Sequence, residues 1–419
     1  MDKIVIIGAG PAGLLLAHYI LRRGRYRVEI YERRPDPRLV KQSQQRTFPL
    51  TLQLRGMNAI RTIPGLEAAL VEKGIWSRGA MLHRKTGSPR QIERKMPLLL
   101  TDRNQLIQVL LQQLVERHKE SVTVTFDCPC ISVEERAVTL QPQAGETFTV
   151  PFDQLVGADG ARSQVREALE NKGLLHSQQS VVPDVYKSLF VPRVSEDKTA
   201  ELVADKIHTW SLGDGIRIIM APQADDWLHG TLIFPPDKNP LESLNTNQDV
   251  LAYFRENCPQ LGQLMTLDEA EALRLRPVSK LMTVSCDRMH VNNILMIGDA
   301  VHAVSASIGQ GCNASLQDAQ IFNECLDRYQ DDWEQALPAF TAQRLPDVHA
   351  LRELSNDGFP QSKRMRLEFI FRMTVGKKLK LPLKPLPIQL IMDSDLPYSE
   401  VLKQTEGWRK RVQQSMQTT

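Results

Sequence analysis

The chain opens with KIVIIGAGPAGLLLAHYILRRGRYRVEIYER, an order of residues that few folds accept. Lys3 to Ile7 is an unbroken, β-rich apolar run, which predicts a buried parallel strand. Gly8, Gly10 and Gly13 follow at the spacing G-x-G-x-x-G. The first permits a tight turn, the second lets backbone approach a pyrophosphate, and the third lets the next helix lie close on the sheet. Pro11 and Ala12 fall in the first helical turn, where a missing N–H costs nothing. Leu14 to Leu21 continue the helix, and Gly24 ends it. A second strand, Arg27 to Tyr31, closes on Glu32 with Arg33 beside it, 24 positions after Gly8. An acid at that place suits the hydroxyls of an adenosine ribose, so the unit predicts a bound dinucleotide. The fingerprint alone does not choose between FAD and NAD, and no second G-x-G-x-x-G occurs.

Two later segments repeat the strand-then-glycine pattern. In FDQLVGADGARSQVREAL, Leu155 and Val156 lead into Gly157, Asp159 and Gly160, and a helix opens after Ser163. In NILMIGDAVHAVSASIGQGCNASLQDAQ, an apolar strand delivers Gly298 and Asp299, and Gly309 and Gly311 precede a helix running to Cys325. The first N–H groups of that helix, around Gly311, Cys312 and Asn313, form a positive end suited to an anionic ring. A nicotinamide dehydrogenase needs one such motif. A cofactor with a ribityl chain and a second ring system needs more hydrogen-bond partners when buried.

Together, GAGPAG, GADGARSQVR and GDAVHAVSASIGQGCNAS resemble the three signature regions of the group A flavoprotein monooxygenases, in that family's order and over nearly the whole chain. The resemblance implies FAD, tightly but non-covalently bound. It further implies a ribityl contact at Asp299, a pyrophosphate-side position for Asp159, and flavin contacts from Arg103 in LTDRNQLIQVLL and from Arg46 in RTFPLTLQLRG. It also implies NADPH or NADH as a transient co-substrate and hydroxylation of a small aromatic by a flavin C4a-hydroperoxide formed from O2. Such chemistry asks for no side-chain nucleophile, and no Ser-His-Asp or Cys-His arrangement is present. His302 reads as structural.

Within that family, MLHRKTG, IRIIMAP, GTLIFPP and LPYSEVLKQ are most similar to the kynurenine 3-monooxygenases. The substrate positions depart from them. Where that group carries an arginine and a tyrosine that grip an amino-acid carboxylate, this chain has Ala80 and Pro97, and its P-F-F-G-Q-G run is Ala306 to Gly311. Neither alanine nor proline pairs a carboxylate, which argues against kynurenine as substrate. Arg78 lies two positions upstream, but a displaced arginine rarely keeps bidentate geometry.

The expected architecture is α/β: a three-layer Rossmann-like FAD-binding domain from residues 1–75, 101–172 and 275–345. An antiparallel sheet for the substrate (76–100 and 173–274) and a helical C-terminal cap (346–419) complete it. His208, Trp210, Met220, His229, Phe234, Ile308 and Gln310 are the expected pocket lining. A basic stretch near the end, with Lys363, Arg364, Arg366, Lys377, Lys378 and Lys380, could touch a membrane surface, though a solvated helix face is the plainer reading.

A net charge of +3 is too small to suggest nucleic acid. Six scattered cysteines show no metal-ligand spacing, so no metal is expected, and free thiols with no leader or membrane span point to the cytoplasm. The competing readings are a flavin-dependent reductase and a non-catalytic flavin sensor.

Overall fold

The computed structural model describes residues 1–39, 48–356, 360, 362–373 and 383–417. Three of its first-sheet strands are short apolar runs: Asp2–Ile7, Gln154–Gly157 and Ile294–Met296, all largely buried. They lie side by side and parallel, with Ile7 level with Gly157 and Gly157 level with Met296. Tyr26–Tyr31 flanks the first strand, also in parallel, and Val122–Thr125 extends the edge. The antiparallel hairpin partner His290–Val291 closes the other edge of this six-stranded sheet.

The helices Pro11–Leu21, Arg103–Arg117 and Gly311–Arg328 bury Leu14, Leu15, Leu110, Leu114, Leu316 and Phe322 in one core with that sheet. A three-stranded meander of Cys130–Val133, Ala137–Leu140 and Phe148–Pro151 contributes Val133, Val138 and Leu140 to the same core. Helices, sheet and meander make the three layers expected of the sequence. The helix Pro11–Leu21 is apolar almost all round because it is covered on every side.

The second sheet has eight strands, ordered Ser279–Cys286, Ser177–Pro192, Trp227–Phe234, Ile216–Pro222, Lys206–Gly213, Ile75–His83, Arg90–Asp102 and Pro49–Leu52. It is not wholly antiparallel: Lys206–Gly213 runs parallel to Ile75–His83, which breaks the hairpin pattern read from the sequence. Pro49–Leu52 and Ser279–Cys286 also bond to this sheet, although the sequence groups their segments with the cofactor fold.

One face packs Leu189, Val191, Ile218, Leu228 and Leu232 against the helices Asn247–Asn257, Pro259–Gly262 and Leu267–Leu275. The other carries Leu98, Leu100, Ile207 and Ala221, with Ile75 and Ala80 alongside. The C-terminal helices Trp333–Asn356, Lys363–Phe371, Pro387–Asp393, Tyr398–Gln404 and Glu406–Gln417 gather around Leu351, Leu354, Ile388, Tyr398 and Trp408. Among the described residues no helix is long and apolar enough to cross a membrane. In the basic stretch Arg364 and Arg366 are exposed beside Leu367 and Ile370, while Lys377, Lys378 and Lys380 lie outside the described residues.

His18 shows how tightly the first core is sealed. It is fully buried on the fingerprint helix, and its Nε2–H donates to the Leu110 carbonyl at 2.9 Å. Nδ1 is buried without a partner, and burial lowers the imidazole pKa from 6.5 to about 4. The folded state therefore holds His18 neutral while the unfolded chain takes up a proton below pH 6.5. Its stabilising contribution is complete above that pH and is lost as the pH falls from 6.5 towards 4, on the order of 3 kcal/mol in all. Urea unfolding between pH 7 and pH 4.5 should show a steeper loss of stability for the natural protein than for a His18→Leu variant. Equal slopes would contradict this account.

Candidate active site

Because Asp2–Ile7, Gln154–Gly157 and Ile294–Met296 are adjacent and parallel, the bends at their carboxyl ends emerge at one place. Gly8 has φ +107°, and a Cβ there would lie 2.4 Å from the Ala158 carbonyl oxygen and 2.8 Å from Asp159 Cα. The first and second bends are thus in contact through a position that only glycine can fill. A Cβ on Gly13 would lie 2.3 Å from the Gly8 carbonyl oxygen, so the helix and its own loop touch. Gly298 packs on Ala12, joining the third bend to the first. Arg166, buried in the helix Gln164–Asn171, donates to the Ala300 carbonyl at 2.8 Å and to the Ala161 carbonyl at 2.9 Å, tying the second bend to the third.

Arg103 begins the helix Arg103–Arg117, whose N-cap Asp102 accepts from the Asn104 N–H at 2.8 Å. Its guanidinium reaches towards Gly10, with Nη2 4.0 Å from where a Gly10 Cβ would be. It is near enough to Asp299 and Cys312 to act on both electrostatically. Asp299 keeps an accessible face yet is closely surrounded by protein. Burial raises its carboxyl pKa, and no hydrogen bond to protein reaches it among the described residues. Burial likewise pushes the Cys312 thiol up to about 12, with the Asp299 charge adding to it.

Asp159 has a double role. Its Oδ2 accepts from the Gln164 N–H at 2.7 Å, capping a helix, while Oδ1 is buried without a partner. Burial raises this carboxyl too. Glu32 accepts from the Ala9 N–H at 2.9 Å through Oε2 and from the Arg34 N–H at 3.0 Å through Oε1, pinning the fingerprint loop. Arg33 is exposed, and Arg46 lies outside the described residues.

The Asn313 side chain is not free for a ligand. Its Oδ1 accepts from the Gln53 N–H at 2.8 Å, and its Nδ2 donates to the carbonyls of Thr51 and Gly309 at 2.9 and 3.1 Å. It anchors the start of Gly311–Arg328, leaving the first-turn N–H groups to face outward. An unbonded carboxylate, an orphaned buried oxygen, a glycine cradle and a helix N-terminus meet in one cleft, and these donors and acceptors suit the pyrophosphate, ribityl chain and ring of FAD.

Behind the third bend stands a buried charge network. Asp318 is fully buried; its Oδ2 accepts from the Gly298 N–H at 2.7 Å and faces His302 Nε2 at 2.5 Å. Arg344 Nε donates to Asp318 Oδ1 at 2.7 Å, and Arg344 Nη1 donates to Asp347 at 2.6 Å. Burial alone would raise the Asp318 carboxyl, but His302 and Arg344 together hold it below the usual range. Asp347 accepts in turn from the Ser399 N–H at 2.9 Å. His302 is thus structural, as its sequence context suggested. Asp318 was legible only as an acid spaced seven residues from Gly311, on the buried face of a helix.

Six of the seven expected pocket residues lie elsewhere. His208, Trp210, Met220 and Phe234 point to the helix-covered face of the eight-stranded sheet. Trp210, Met220 and Phe234 are core there, while His208 bonds His83 at 2.8 Å, and Trp210 stacks on His83 at 4.3 Å. Ile308 belongs to the C-terminal core, and Gln310 is fully buried between Gln53 and Tyr398. Large apolar side chains take the face that helices cover, and alternation alone does not say which face that is. His229 is on the other face, level with Ala221 and Phe190 across the ladder, and its Nδ1 meets Asp102 Oδ2 at 3.1 Å.

Ala80 sits in the apolar patch of that same face, Pro97 is exposed, and Arg78 is exposed near the Glu93–Lys206 ion pair. No carboxylate grip forms from these three. Arg94 was missed from the sequence. Burial lowers its pKa, and its Nη1 meets Met392 Sδ at 2.9 Å, with no acid paired to it among the described residues.

The family described as "FAD binding domain" matches residues 1–348. Kynurenine 3-monooxygenase of Salinispora tropica is 30% identical over 99% of this chain and 93% of its own length, and that of Sus scrofa is 28% identical over 98% and 88%. Among solved structures, 2-methyl-3-hydroxypyridine-5-carboxylic acid oxygenase superposes with a TM-score of 0.72 at 20% identity, covering 93% of this chain and 95% of its own. Tetracycline destructase Tet(51) gives 0.62 at 18% identity, covering 91% and 96%. With its three bends joined at one cleft, the chain belongs to the FAD-binding monooxygenases of aromatic-hydroxylase type, in the family of the kynurenine 3-monooxygenases.

Proposed function

We propose that this protein hydroxylates a small aromatic lacking the free amino-acid group of kynurenine, with NADPH as electron donor. The observation that carries the flavin assignment is the Asp299 carboxylate, which has no hydrogen bond to protein among the described residues and lies within electrostatic reach of Arg103 and of Cys312 in the first turn of Gly311–Arg328. FAD, when bound, supplies hydride acceptance from NADPH and oxygen activation.

The residues here bind and orient. With FAD bound, the Gly8–Gly13 loop and Asp159 would hold the pyrophosphate and Asp299 would accept from the ribityl hydroxyls. The positive charge of Arg103 and of the helix N-terminus would favour an anionic reduced ring. The apolar patch of Ile75, Ala80, Leu98, Ile207 and Ala221 would keep water from a ring seated on that face.

The substrate class follows from what that patch lacks. A carboxylate set against Ala80, Leu98, Ile207 and Ala221 would be desolvated by apolar side chains, at a cost of several kcal/mol. A neutral or phenol-like aromatic avoids that cost. We place the enzyme in the cytoplasm, in keeping with its unpaired thiols.

The FAD-loaded protein should consume NADPH with oxygen uptake that phenol- and indole-type compounds raise at least tenfold more than kynurenine does. Stimulation by kynurenine equal to the best of them would overturn the substrate assignment, and oxygen-independent NADPH oxidation coupled to alkene reduction would favour a reductase. Asp299→Ala should weaken FAD retention tenfold or more, about 1.4 kcal/mol, read as loss of yellow colour on gel filtration. Full flavin occupancy in that variant would show that the ribityl contact lies elsewhere.

A further inference from the structure

Two histidines pair with carboxylates among the described residues, and they differ in one respect. His302, held by Asp318, leaves its second nitrogen buried and unpartnered, as do His18 and His83. His229 does not. Its Nδ1 faces Asp102 Oδ2 at 3.1 Å, both residues are about 5% exposed, and its Nε2 is neither bonded nor sealed from solvent. An ionised carboxylate only accepts, so Asp102 fixes the proton on Nδ1 and leaves a bare lone pair on Nε2. That lone pair lies on the far side of the ring from Asp102, in accessible space.

The location is specific. His229 stands on the sheet face opposite the helix-covered core, level with Phe190 and Ala221, beside the apolar patch that includes Ala221, Ile207 and Ala80. Asp102 immediately precedes Arg103, the arginine that reaches towards Gly10 and Asp299. The ring is braced by Phe190, edge-on at 4.8 Å, and Phe190 in turn carries Arg276 at 4.5 Å, paired with Glu269. The charged groups that face His229 are thus Asp102 on the strand Arg90–Asp102, with Arg276 and Glu269 behind Phe190.

We infer that His229, oriented by Asp102, is a proton acceptor for a ring hydroxyl of the substrate; this rests on the aromatic-hydroxylase reading above and deepens it. In the step, the substrate O–H bond breaks, its electron pair stays on the ring oxygen, and the proton forms an N–H bond at Nε2. The imidazolium is stabilised by the Asp102 carboxylate. The oxyanion pushes electron density into the ring, whose carbon forms a C–O bond with one oxygen atom supplied by the NADPH- and O2-driven reaction, the other atom leaving as water. The C–H bond at that carbon then breaks, its electron pair restores the aromatic ring, its proton is released, and the proton on Nε2 returns to the substrate's original ring oxygen. The substrate class is accordingly a hydroxylated aromatic that binds as the neutral phenol and reacts as the phenolate.

The test uses FAD-loaded full-length protein and 4-nitrophenol, whose ionised form is identified by its own absorbance. Bound to the natural protein, the probe should ionise at a pH lower by about one unit or more than in buffer, a tenfold shift of the equilibrium. His229→Asn keeps an N–H for Asp102 but removes the basic nitrogen, and it should abolish the shift. Asp102→Asn retains the helix cap, because asparagine also caps, and it should reduce the shift by removing the charge that fixes the tautomer. Flavin absorbance and thermal unfolding establish that each variant is folded, and the natural protein against Asp102→Asn decides the matter if His229→Asn does not fold. Equal shifts in the natural protein and the folded variants, no shift in the natural protein, or no binding of the probe would each overturn the inference. Flavin reduction by NADPH, read separately, reports whether the underlying hydroxylase reading stands.

Discussion

Parallel pairing at the level of Ile7, Gly157 and Met296 is the constraint on which the rest depends. It makes three chain segments, more than a hundred residues apart, turn at the same edge of one sheet. Three backbones turning together leave no room for side chains, which explains why the contact between Gly8 and Ala158 tolerates no Cβ. The crowding that excludes side chains also leaves backbone N–H groups and the accessible Asp299 carboxylate at the same edge. The proposed cofactor site is therefore a product of how the sheet is wound, with few functional side chains because backbone groups line much of it.

The third bend is held from behind. Asp318 takes the Gly298 N–H while being clamped by His302 and Arg344, and Arg344 reaches Asp347 and the Ala314 carbonyl. Removing one member of such a buried set leaves an uncompensated charge, which is far more damaging than never having had the set at all. Arg55 adds a second tie, donating to the carbonyls of Ile391 and Leu396 and lying 4.4 Å over the Tyr398 ring. Through these links the loop that carries Asp299 and the C-terminal helices are one mechanical unit.

The sequence was legible where the chemistry is local. The glycine spacing, the acid at Glu32, the Asp299 bend and the helix from Gly311 each announce themselves within about thirty residues, and the fold class and cofactor followed from them. The wall of the site was not legible. Alternation in IRIIMAP and WLHGTLIFPP showed two faces without saying which one helices Asn247–Leu275 would cover, so Trp210, Met220 and Phe234 were assigned to a pocket when they fill a core. The parallel pairing of Lys206–Gly213 with Ile75–His83 joins strands far apart in the chain, and no turn signal marks it. His229 stood out only as a histidine on a strand, because its partner Asp102 is 127 positions away. Asn313 read as a ligand because the helix start looked open, whereas its amide is consumed by Gln53, Thr51 and Gly309.

The tie between the Asp299 loop and the C-terminal helices also orders events during synthesis. Asp347 is completed by Ser399, and Arg55 by Leu396, about a hundred positions beyond Gly298. At ribosomal rates that interval is roughly 5 to 20 s, during which the fingerprint strand and helix are already outside the tunnel. Until translation has passed Ser399, a nascent chain thus lacks the contacts that brace the Asp299 loop from behind.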